Sequence, residues 1–139
     1  MNTPRENALV GRFSTYGSAV EIGVGRRPDV AVALAEAGVD VTVTDVAAAD
    51  ELGVPSSLRF VRDDVVAAGE RDHPGESYEA ALVYGLNLPP ELHRPTRNVA
   101  RAVDADFLFT TLGYDSPAIP VDTESLPEGE TLYVAREGV

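Results

Sequence analysis

The chain has no cysteine and no lysine, and both absences prune its chemistry. Without cysteine there is no thiolate nucleophile, no disulfide and no thiolate zinc site. Without lysine there is no Schiff base and no Walker-type phosphate loop. No Gly-x-Ser-x-Gly elbow occurs either. No apolar run is long enough to span a bilayer, and the N-terminus lacks signal-peptide architecture, so a soluble, cytoplasmic protein is expected, with no membrane association. His73 and His93 lie far apart beside loop-forming residues and read as surface histidines, and no metal-ligand cluster is expected.

What is present is acid. Asp and Glu number 23 against 11 bases, every base is arginine, and the net charge is −12. That excess is greater than solubility demands of a small domain. It fits a cytoplasm of molar salt, where screening contracts to about 3 Å, or a GC-rich genome that trades lysine codons for arginine ones. Without a basic stripe to meet phosphates, nucleic acid is not an expected partner. At 139 residues, 44% of them apolar, the chain is long enough for one real core and is read as a single domain, residues 1–139.

Residues 20–45 organise the rest. Ala19, Val20 and Ile22 suit a buried strand. Gly23 and Gly25 suit a sharp turn that lets backbone N–H groups approach a ligand. Pro28 suits the first turn of a helix, Val30, Leu34 and Ala37 follow at helical spacing, and Gly38 stops it. Residues 39–45 make a second strand with Asp45 at its end. The third glycine of the dinucleotide fingerprint is replaced by Pro28, which disfavours a nicotinamide dinucleotide (NAD).

Along the chain, Thr3-Pro4-Arg5-Glu6 is a capping box, so a helix starts there. Leu9, Phe13 and Tyr16 give it an apolar stripe, with Tyr16 a candidate to reach the pocket. Residues 47–52 read as a short helix, 58–61 as a third strand and 78–85 as a fourth. Asp63 and Asp64 follow the third strand and read equally as a helix cap for residues 65–70 or as ligand contacts. Pro89 and Pro90 open the next helix, whose inner face is Val99, Ala102 and Val103. Arg97 and Arg101, four apart, form a solvated face or an anchor for an acidic partner. Residues 106–112 are a fifth strand, 113–127 carry no helical pattern, and 131–136 are a last strand. Strands alternating with helices give an α/β doubly wound, mostly parallel Rossmann-like sheet of about six strands, order 3-2-1-4-5 with the last beside the fifth.

The Glu21-x-Gly23-x-Gly25 pattern resembles motif I of S-adenosylmethionine (SAM)-dependent methyltransferases. The resemblance implies SAM as cofactor, with Glu21 organising the turn, Gly23 and Gly25 admitting the ligand, Asp45 taking both ribose hydroxyls and Asp64 (or its neighbour Asp63) meeting the adenine amino group. Asn87, after the fourth strand, completes the implied cofactor set. Amino-directed relatives follow that position directly with two prolines and an aromatic. Here Leu88 intervenes and Glu91 replaces the aromatic, which removes the stacking face for a flipped base. Over nearly its full length the chain also resembles an archaeal uncharacterised protein family, number 0146. The likeness rests on Val20-Glu21-Ile22-Gly23-Val24-Gly25-Arg26, on residues 41–45, on Asp63-Asp64 and on Pro89-Pro90-Glu91-Leu92. Two functions are expected from this: a SAM-binding, methyltransferase-like protein, or a Rossmann-like adaptor with a protein partner that has lost methyl transfer or binds another nucleotide. A full methyltransferase sheet has seven strands; with six, the tail where many relatives recognise substrate would be shortened.

Overall fold

The structure is a computed structural model that describes residues 2–136. Its elements run α1 (Pro4–Phe13), β1 (Ser18–Ile22), α2 (Asp29–Glu36), β2 (Asp40–Asp45), α3 (Ala49–Leu52), β3 (Arg59–Arg62), α4 (Val65–Glu70), β4 (Leu82–Gly85), α5 (His93–Ala102), β5 (Asp106–Phe109), β6 (Val121–Ser125) and β7 (Thr131–Ala135). They build one seven-stranded sheet in the order 3-2-1-4-5-7-6. Strands β1 to β5 are parallel, while β7 pairs antiparallel with both β5 and β6.

The expected order of the first five strands and the place of the last strand beside the fifth both hold. The count of six does not. Residues 113–127 hold β6, which closes an antiparallel hairpin with β7. Its sequence, Val121-Asp122-Thr123-Glu124-Ser125, is mostly exposed and lies on the sheet edge, so it carries no apolar run to announce it. The tail of the sheet is complete.

Burial on both faces follows from period-two alternation. In β4, Leu82 and Tyr84 point to one face and Val83 to the other; in β5, Leu108 opposes Phe107 and Phe109 in the same way. Helices α1 and α2 cover the first face through Leu9, Phe13, Val30, Ala31 and Leu34. Helices α4 and α5 cover the second through Val65, Ala68, Val99 and Ala100. Phe13 is fully buried, its ring 4.7 Å from that of Tyr84.

Local chemistry sets the ends. The Thr3–Glu6 capping box forms as expected, with each side chain bonded to the other residue's backbone N–H (3.1 and 2.8 Å). Gly38, at φ +94°, ends α2. Three expectations fail locally. The fourth strand begins at Leu82 rather than Tyr78, because residues Glu76–Tyr78 form a 3₁₀ turn that buries the Tyr78 ring. In α5 the inner face is His93, Thr96, Val99 and Ala100, with Ala102 exposed, because the helix starts two residues before Pro95 and its stripe is shifted. His93 is buried: its Nε2 lies 2.8 Å from the Leu88 carbonyl, its Nδ1 accepts the Ala118 N–H (3.0 Å), and its ring packs against Phe109.

Gly69 of α4 lies close against the backbone of α5. A Cβ there would stand 2.8 Å from the Pro95 carbonyl oxygen and 3.4 Å from its Cα. An exposed helical Gly→Ala change stabilises by about 1 kcal/mol. Here backbone blocks the new methyl, so Gly69→Ala is expected to destabilise by about 1–3 kcal/mol, measured by denaturant unfolding. A stabilised variant would contradict this packing.

Candidate functional site

The switch point of the sheet lies between β1 and β4, where a doubly wound fold opens a crevice at the carboxyl ends of its strands. β1 runs there in the core and must turn at once into α2. Gly23 and Gly25 make the turn, at φ +69° and +59°, values that side chains other than glycine rarely adopt. Between them Val24 is buried, and its N–H donates to the Thr44 carbonyl (3.0 Å). Beside it the Thr44 hydroxyl donates to the Glu21 carbonyl (2.9 Å). The turn is therefore stapled to β2 by main-chain and side-chain bonds together.

Asp45 completes the staple. One carboxylate oxygen accepts the Gly25 N–H (2.9 Å) and the other the Ala47 N–H (3.1 Å). These two bonds give Asp45 a structural part in the turn besides any ligand contact. Each oxygen still keeps lone-pair capacity for a ligand hydroxyl.

Glu21 lies beneath the turn, 1% exposed, where its Oε1 accepts the Tyr84 hydroxyl (2.7 Å). Burial pushes its carboxyl up to about 8; the Tyr84 bond opposes that rise and the Asp45 charge adds to it. Burial and the neighbouring Glu21 likewise hold the Tyr84 phenol well above its ordinary value. Glu21 is thus largely a protonated acid at neutral pH, locked under the glycine turn.

The paired acids after β3 divide their work. Asp63 accepts the Tyr78 hydroxyl (2.7 Å) and pairs with Arg71 (2.8 Å). Burial raises its carboxyl, but the Tyr78 and Arg71 bonds outweigh burial and hold it below the usual range. Asp64 is exposed and caps α4 by accepting the Val66 N–H (2.9 Å), one of the two readings open for the pair. Asn87 sits at φ +49° after β4, its N–H donating to the buried Thr110 hydroxyl (2.8 Å).

Two adjoining hollows share Gly23, Leu86 and Asn87. The inner one, about 260 Å³, is lined by Asp45, Asp63 and Asp64 with Val46, Val65, Leu88 and Leu92 as its apolar wall. The outer one, about 560 Å³, runs from the glycine turn past Glu21 to Arg5, Arg26, Arg27 and residues 110–113. All seven residues expected at the site border one hollow or the other, so the fold brings them together. Tyr16 is not among them: its hydroxyl donates to Asp106 (2.6 Å) at the start of β5, the opposite end of the sheet. Sequence reasoning misses Tyr84, which looks like one more apolar strand residue, and Thr110. Only the strand register places Tyr84 beside Glu21. A further concavity, about 880 Å³, lies away from the seven candidate residues, between α5 and the ends of β5 and β7.

Among the described residues, no three His, Cys, Asp or Glu side chains cluster as metal ligands, and no helix is long and apolar enough to cross a membrane. The profile of the uncharacterised protein family UPF0146 matches residues 6–138. A UPF0146 protein of Halobacterium salinarum is 45% identical over 126 residues, 90% of this chain and 92% of that one. Another, from Archaeoglobus fulgidus, is 40% identical over 96 residues, 69% and 68% of the two chains. Among solved structures, a TehB-like SAM-dependent methyltransferase of Corynebacterium glutamicum aligns over 96% of this chain and 86% of its own, with a TM-score of 0.59 and 16% identity. A Burkholderia thailandensis 1,6-didemethyltoxoflavin-N1-methyltransferase, solved with S-adenosylhomocysteine (SAH), aligns over 95% and 59%, with a TM-score of 0.51 and 20% identity. A structure described as putative zinc-dependent alcohol dehydrogenases, from Rhodobacter sphaeroides, aligns over 83% and 49%, with a TM-score of 0.56 and 18% identity. At these identities the likeness is one of fold.

The protonated Glu21 sets a pH dependence. Its carboxyl rises from 4.5 in the unfolded chain to about 8 when folded, so the native state holds the extra proton between those values. Its contribution to stability is full below about pH 4.5 and is lost as pH rises through about 8. Between pH 5 and 8, wild type should therefore lose stability relative to Glu21→Gln, by about 1.4 kcal/mol for each pH step of one. Parallel stability–pH curves for the two proteins would show that Glu21 ionises normally.

Proposed function

The chain belongs to the uncharacterised protein family UPF0146, and from its fold and cleft we propose that it is a SAM-binding, methyltransferase-like protein acting as one domain. The observation that carries the reading is Asp45: a carboxylate at the end of β2, fixed against the glycine turn and bordering the inner hollow. Its two oxygens suit the paired hydroxyls of a ribose. Val46, Val65 and Leu92 offer an apolar wall for an adenine, and Asp64 keeps acceptor capacity beyond its cap for the exocyclic amine. Asp63 is already engaged by Arg71 and Tyr78, so Asp64 is the better candidate of the pair. The glycine turn and Asn87 would border the junction where the ligand passes into the outer hollow.

Bound SAM would supply an electrophilic methyl group on a sulfonium. The residues of this chain would hold and orient it rather than exchange protons, since positioning and exclusion of water are the larger needs of such a transfer. Protonated Glu21 keeps the floor of the turn neutral, so it adds no fixed charge beneath the ligand.

A second reading, a binding protein without turnover, is favoured by the segment after β4. Leu88 folds into the core against Gly85, and Pro89 and Pro90 lead directly into a 3₁₀ turn. No acid and no aromatic therefore faces the cleft where amino-directed relatives carry them. Transfer of labelled methyl to a component of a cell extract separates the two readings.

Calorimetric titration at high salt tests the cofactor. SAM and SAH should bind, and NAD should not. Asp45→Asn should weaken SAH about tenfold to a hundredfold, some 1.5–3 kcal/mol. It should also cost about 1 kcal/mol of folding stability, because one amide–carboxylate bond of the staple is lost. Unchanged SAH affinity in the folded variant would remove Asp45 from the ligand site.

A further inference from the structure

The two halves of the cleft carry opposite charge. Acids line the inner half, whereas three of the chain's eleven arginines, Arg5, Arg26 and Arg27, line the outer half. Five others are matched to a partner: Arg12 to Glu124, Arg59 to Asp40, Arg71 to Asp63, Arg136 to Asp122 and Arg62 to the Val46 carbonyl. Arg26 and Arg27 are exposed and make no ion pair or hydrogen bond within the described residues. Two adjacent unpaired cations in a chain of net charge −12 run against its composition.

The acids of the outer half offset them only in part. Glu6, which also accepts the Thr3 N–H in the capping box (2.8 Å), offsets one of the three. Glu21 is buried and hydrogen-bonded to Tyr84 beneath the turn. Glu130 remains, on the far wall before β7. Arg5 is anchored by its Nε to the Glu128 carbonyl (3.3 Å), which leaves the rest of its guanidinium for another acceptor. Low-dielectric walls concentrate the field of such a group and draw in ligands of opposite sign.

We propose that the outer half of the cleft binds a small oxyanion, a carboxylate or phosphate compound, held by Arg26 and Arg27 beside the glycine turn. The proposal rests on the reading of the inner half as the cofactor site, and it names the class of ligand that would share the cleft. The forked guanidinium geometry matches either oxyanion bidentately. The outer hollow is about twice the volume of the inner one, about 560 against 260 Å³, which leaves room for a second ligand.

The test is an amide NMR titration with inorganic phosphate, with and without SAH, on wild type and on the Arg26→Ala/Arg27→Ala double variant. Neither side chain has a folding partner, so the variant should fold; Arg59→Ala on β3 is the control. It is run at the lowest salt that preserves cooperative unfolding, because molar salt screens such contacts. The expected result is saturable shifts at Gly25, Arg26 and Arg27, present with SAH bound, and a dissociation constant raised at least tenfold in the double variant but not in the control. No saturable shift, or one unaffected by the double substitution, overturns the proposal. So does phosphate displacement by SAH together with weaker SAH binding in the variant, which would give the arginines to the cofactor. Should SAH not bind at all, the cofactor reading fails, and the phosphate titration on the free protein still decides the oxyanion site.

Discussion

One carboxylate joins the two halves of the βαβ unit. Asp45 accepts N–H groups from Gly25 and from Ala47, so the turn after β1 and the turn after β2 share a single anchor. A two-glycine turn with left-handed φ at both glycines needs such anchors, since glycine loses more conformational freedom on ordering than any other residue. The Val24–Thr44 and Thr44–Glu21 bonds hold the same turn from below. Everything proposed for the cleft depends on that turn being rigid before a ligand arrives.

Beneath it lies the buried acid Glu21. A buried carboxylate with no cationic partner is kept neutral rather than paired, and its hydrogen-bond partner is a phenol from the neighbouring strand. The β1–β4 register sets Glu21 opposite Tyr84. Phe13 of α1 then packs against the Tyr84 ring, so the leading helix supports the floor of the site from behind. The chain from capping box to glycine turn is thus a continuous stack: α1 on Tyr84, Tyr84 on Glu21, and Glu21 under the glycines.

Much of this is legible in the sequence, and the failures have physical causes. The β1–α2–β2 unit is readable because its apolar periodicity, its glycines and its terminal acid all agree, and agreement across levels marks a specified fold. The capping box of α1 and the Asp64 cap are readable for the same reason: cap chemistry is local. Strand β6 is not, because an exposed edge strand gains its partner through the hairpin with β7 rather than through apolar residues of its own. His93 reads as a surface residue because its burial depends on the Leu88 carbonyl and the Ala118 N–H, the latter 25 positions away. Tyr78 reads as strand but is the lid over Asp63, a pairing across 15 positions that no period reveals. The seven candidate residues can be gathered into one cleft from sequence because each stands at a strand end, where the topology alone collects them.

In the proposed complex the adenosyl part of SAM lies in the inner hollow beside Asp45. The most direct measurement is a crystal structure of the protein grown with SAH. Ribose hydroxyls are expected within hydrogen-bond distance of the Asp45 carboxylate, with the adenine against Val46, Val65 and Leu92. A ligand seated instead in the groove between α5 and β7, or an inner hollow left empty at saturating SAH, would contradict it.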